Sequence, residues 1–75
     1  MRLGRYLSAL NKPELDNLKL QLNLTDDEEL VFLHLSKGRS KQSTADNCKI
    51  SISTVDLRIK SIKNKLLRLE GVNIV

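Results

Sequence analysis

Seventy-five residues make one small domain, in which a few buried leucines must carry the core. One Cys excludes an internal disulfide and a Cys-x-x-Cys metal site, and one Tyr, one Phe and no Trp exclude a surface that binds single strands by stacking. The net charge of +4 is unevenly spread: residues 14–29 hold six acids against Lys19 alone, and residues 39–68 hold eight bases against Asp46 and Asp56, which implies a basic face for an anionic partner.

No apolar run is long enough to span a membrane, and no signal-peptide core follows Met1-Arg2-Leu3-Gly4-Arg5, so the expected compartment is the cytoplasm, with no membrane partner. Few glycines and one proline point to an all-α chain. Residues 5–10 read as a short helix, with Tyr6, Leu7 and Leu10 on its apolar side. Asn11 then caps a second helix that has Pro13 in its first turn and Glu14 at the third position. Leu15, Leu18 and Leu22 follow at helical spacing, and Leu20 falls off that stripe.

Thr25 and Glu28 form a capping box that opens the next helix, with Leu24 placed to staple onto its first turn. Asp26, Asp27, Glu28 and Glu29 crowd that turn, where the helix dipole favours negative charge. Val31, Phe32 and Leu35 are expected in the core. Leu30 and Leu33 add a second apolar strip, which the Leu15, Leu18 and Leu22 stripe is expected to cover. Gly38 ends the helix in a left-handed conformation.

Ser40 caps a helix of about two turns whose small Ala45 permits a close crossing. After a turn at Lys49-Ile50, Ser51 caps a long basic helix. Val55, Ile59, Ile62, Leu66 and Leu69 make its buried stripe, and Gly71 stops it. The chain therefore divides into a helical extension (1–23), a helix-turn-helix region (24–70) and an apolar tail (71–75). The expected fold is a small helical bundle: a tri-helical helix-turn-helix core without a wing, preceded by one or two extra helices.

From Leu24 to Leu66 the chain resembles the DNA-binding domain of LuxR-type regulators. Leu24, Thr25 and Glu28 look like its opening, and Val31 and Phe32 like its first core pair. Gly38, Ser40, Ala45, Ile50, Ser51, Thr54, Val55, Ile62, Lys65 and Leu66 stand where that family keeps those types. The region is also similar to the promoter-reading part of sigma factors. Ser43, Thr44, Cys48, Lys49 and Arg58 depart from the LuxR pattern: Lys49 replaces the turn glycine, and no fourth helix follows Gly71.

The resemblance implies a sequence-specific regulator of transcription whose last helix enters the major groove of duplex DNA. The positions that meet bases in that family are here Asp56, Leu57 and Lys60, opposite the side fixed by Val55, Ile59 and Ile62. Lys60 would donate to guanine, Asp56 would accept from cytosine, and Leu57 would touch a thymine methyl. Ser40, Lys41, Arg58 and Lys63 are expected on phosphates. A homodimer is expected, joined through Leu67, Val72, Ile74 and Val75 or through the N-terminal leucines. The alternative partner is RNA polymerase or another regulator, bound in the manner of a sigma-like adaptor.

Enzyme chemistry finds no support. His34 has no second histidine, Cys48 reads as a small buried hydrophobe, and the acidic pairs lie in a helix first turn. No cofactor or metal is implied.

Overall fold

Local capping signals decide where the helices start. In a computed structural model that describes residues 2–71, five helices follow one another: α1 Leu3–Ser8, α2 Lys12–Leu22, α3 Asp26–Ser36, α4 Lys41–Cys48 and α5 Ile52–Glu70. The Asn11 side chain accepts from the Glu14 amide at 2.9 Å, and the Glu14 carboxylate accepts from the Asn11 amide at 3.0 Å. Thr25 and Glu28 form the same reciprocal pair before α3. Ser40 and Ser51 each accept from the amide three residues on, at 3.1 Å. Each cap satisfies amide donors that the first turn leaves without a partner.

The ends are equally local. Gly38 has φ +79°, the Gly38 amide donates to Leu35 O and the Arg39 amide to His34 O, which together close α3 in a Schellman motif. Asn23 and Gly71 end α2 and α5 in left-handed conformations.

All five helices share one core, with Phe32, Leu7, Ile62, Leu66, Val31 and Val55 at its centre and Thr44 fully buried beside them. α5 is the axis: α2, α3 and α4 all lie on it, and α1 lies on α3. Val55, Ile59, Ile62 and Leu66 face inward, but Leu69, expected on the same stripe, is 42% exposed at the last turn. α1 starts earlier than residues 5–10 and buries Leu3 with Leu7, one turn apart. The spacing that places Leu3 under Leu7 is the helical i, i+4 pair.

The expected cover of α3 is corrected as well. α1 covers α3, while α2 lies mainly on α5 and buries Leu18 and Leu22, with Leu15 partly buried. Leu33 is partly buried and Leu30 stays half exposed. Between α2 and α3 runs an ion pair, Lys19 to Glu29 at 3.4 Å. The Tyr6 hydroxyl donates to Glu70 at 2.9 Å and ties α1 to the far end of α5. Burial, and then the bond to Glu70, raises the Tyr6 phenol above its ordinary pKa. The described residues form no sheet, and none of their helices is long and apolar enough to cross a membrane. The tail residues Val72, Ile74 and Val75, expected at a dimer contact, lie outside the described residues.

Candidate nucleic-acid interface

The α4–α5 junction turns on Lys49, at φ 58° and ψ 43°. A lysine in this left-handed region costs roughly 1–2 kcal/mol through the clash of its Cβ with the following carbonyl. Two backbone bonds hold it there: the Ile50 amide donates to Ala45 O at 3.1 Å, and the Lys49 amide to Asp46 O at 3.4 Å. Ile50 packs against the core and Ser51 caps α5 at once. The turn thus keeps the shape that a glycine would give, with a cation at its tip. Thr44 donates its hydroxyl to Ser40 O at 2.8 Å, which satisfies a hydroxyl that is wholly buried.

The buried stripe of α5 fixes which side chains point away from the protein. Leu57 is 66% exposed and Lys60 is exposed on the same outward side. Asn64 stands one turn beyond Lys60, also exposed, and is not among the base-reading positions expected from the sequence. Its i, i+4 spacing from Lys60 was the available signal, because an Asn amide both donates and accepts and can pair with adenine.

Asp56 is exposed but engaged: its carboxylate accepts from Lys41 Nζ at 2.9 Å across the α4–α5 corner. Both side chains are more than half exposed, so the pair contributes little stability. It does hold two of the expected contact residues against each other. The Ser40 hydroxyl accepts from the Ser43 amide, which leaves its proton to offer to an anion.

The four expected phosphate residues do not share one surface. Ser40, Lys41 and Lys63 line an open cleft on one flank of α5. Arg58 lies on the other flank, 3.4 Å from Asp27 at the acidic start of α3, with its Nε shielded and without a hydrogen-bond partner. The acidic stretch of the sequence therefore folds back onto one side of the basic helix and neutralises part of it. The remaining positive charge concentrates on the α4 side.

Glu28 is the tightest of these contacts. Its side chain is 6% exposed and accepts from Lys65 Nζ at 2.5 Å, from the Ser61 hydroxyl and from the Thr25 amide at 3.0 Å. Burial pushes its pKa up, but the bonds from Lys65, Ser61 and Thr25, with the Lys65 charge, outweigh that and hold it down at about 2. Sequence reading found only the capping role. The partners on α5 are distant in sequence and carry no local signal.

Partial burial, and then the nearby Arg39 and Lys37 charges, lower the pKa of His34 at the end of α3. The Arg39 guanidinium meets its Nδ1. Cys48, expected to be buried, is only half-buried. Among the described residues no group of three or more His, Cys, Asp and Glu is placed to hold a metal ion.

No protein-family profile, no curated protein and no solved structure matches the chain.

Proposed function

We propose that the chain binds double-stranded DNA sequence-specifically and regulates transcription, with α3, α4 and α5 as a wingless helix-turn-helix unit and α5 in the major groove. The observation that carries this reading is the junction: a short helix, a tight left-handed turn at Lys49, and a capped 19-residue helix that is buried on one side and exposes basic and polar residues, with Leu57 among them, on the other. A helix of that width fills a major groove, and its outward side chains then meet base edges. Leu57 and Lys60 are the base-reading residues, with Asn64 one turn on. Asp56 reads a base only on leaving Lys41, so its part in recognition is coupled to the α4–α5 corner. Lys41, Lys63 and Ser40 hold phosphates on one side of the groove, and Arg58 on the other once it parts from Asp27.

The chain acts as a homodimer in this reading, because one module of this size buries a small interface and specific affinity is usually reached with two half-sites. Leu67, 47% exposed and off the main stripe, and Leu20 on α2, 77% exposed, are apolar side chains open to such a contact.

Replacing Lys60 with Ala tests the base-reading assignment. The variant is expected to lose roughly 1–3 kcal/mol on a duplex enriched from a random pool and to relax preference at one base pair. On a scrambled duplex it should lose much less. Titrations of both duplexes over several salt concentrations give the comparison, and equal losses on the two would move Lys60 to the backbone.

A further inference from the structure

Between the start of α1, the start of α4 and the middle of α5 lies an open cleft of about 860 Å³. Its floor is apolar, from α1, α3 and α5. Its walls carry Arg2, Arg5, Arg39, Lys41 and Lys63, and no acid lines it among the described residues. Lys41 is paired with Asp56, and the Arg39 guanidinium meets the His34 ring. Arg2, Arg5 and Lys63 pair with no acid among the described residues.

This is an unfavourable arrangement for the protein alone. Like charges around a concave, partly apolar surface repel each other and focus a positive potential into it. The packing of α1 does not explain the arginines at and before its first turn, since Leu3 and Leu7 supply its buried side and Arg2 and Arg5 are exposed. A single small anion would meet only part of a wall set spread over three helices. A run of phosphates along an open cleft meets more of it. The cleft is also continuous with the α5 flank, because Lys63 belongs to both.

We propose that this cleft carries the phosphate backbone of one strand of the bound duplex, and that Arg2, just before α1, and Arg5 within it, both outside the α4–turn–α5 unit, are phosphate contacts. The proposal rests on α5 entering the major groove. It gives the N-terminal helix a second task beyond covering α3: it extends the footprint on the backbone and adds affinity without adding base preference.

The test uses the full chain and a random-sequence duplex of about 20 base pairs, so no operator is needed, since the phosphate contribution does not depend on sequence. The slope of log affinity against log salt is measured for the unaltered chain, for Arg2→Gln/Arg5→Gln, for Arg2→Lys/Arg5→Lys and for the remote Lys12→Gln. The Gln pair is expected to make the slope shallower by about two and to weaken binding roughly tenfold or more at low salt. The Lys pair and Lys12→Gln are expected to keep the slope. Should the Gln pair fail to fold, Arg2→Gln alone is expected to give a change of about one.

An unchanged slope in the Gln variants, with the unaltered chain still binding, overturns the cleft assignment and leaves the α5 reading standing. An equal change in Lys12→Gln overturns it too, by making the effect one of net charge. Displacement of the duplex by submillimolar inorganic pyrophosphate would make the cleft a site for a small anion and would likewise overturn it. Absence of any duplex binding by the unaltered chain removes the α5 reading along with it.

Discussion

A chain beginning at Asn23 is expected to show no cooperative thermal transition, although it keeps the whole of α3, α4 and α5. Residues 2–22 supply four leucines to the core, Leu3, Leu7, Leu18 and Leu22, each no more than 5% exposed. Burying a leucine stabilises by about 1.5–3 kcal/mol, so the loss approaches or exceeds the roughly 5–15 kcal/mol that holds a small domain together. The truncation also bares the side of α3 under α1 and the side of α5 under α2. Leu7→Ala, at the centre of the core, is the milder version and is expected to cost about 2–5 kcal/mol. Circular-dichroism melts of the three chains make the comparison. A truncated chain melting at the full-length temperature would show that α1 and α2 are ornaments on a self-sufficient three-helix unit.

The second large effect is expected at Glu28. Gln in its place can keep the capping bond to Thr25 but leaves the Lys65 ammonium without its charge partner on a largely buried contact. Lys65 is 28% exposed, which places the cost below that of a fully buried pair, on the order of 2 kcal/mol. In a domain this small, a loss of that size lowers the melting temperature by roughly 8–16 °C.

The acid dependence carries the sharper signature. The folded pKa of Glu28 lies at about 2, below its ordinary 4.5, so the folded state favours the ionised form. Its contribution is then fully present above about pH 5 and fades as pH falls through about 2. Glu28→Gln lacks this contribution at every pH. Urea unfolding at a series of pH values should give a gap between the two chains that is wide near neutrality and closes toward pH 2. Parallel curves over that range would mean that the α3–α5 bridge carries no net stabilisation.

Much of this fold is written locally. Asn11, Thr25, Ser40 and Ser51 each announce a helix start because a cap involves residues three apart, and Gly38 announces an end because a left-handed backbone favours glycine. The inward stripe of α5 from Val55 to Leu66 is equally plain, since its period is set by the helix itself. What could not be read is which surface covers which. The leucines at 15, 18 and 22 show that α2 needs a partner, but their spacing fits α3 and α5 alike. α1 is too short to show a period, and Leu3 stands outside the 5–10 stretch that reads as helix.

The candidate interface divides in the same way. The outward positions of Leu57 and Lys60 follow from the buried stripe. The Asp56–Lys41 pair, the capture of Arg58 by Asp27 and the gathering of Arg2 and Arg5 with Lys63 depend on how separate helices meet. No spacing in one dimension encodes those distances.

The central claim is that this chain recognises a duplex through α5. Selection of bound sequences from a random duplex pool by the full chain tests it most directly. One short motif is expected to be enriched, present as two half-sites about one helical turn apart, and capture is expected to be lost as salt rises. Failure to retain any duplex above background at low salt would contradict it.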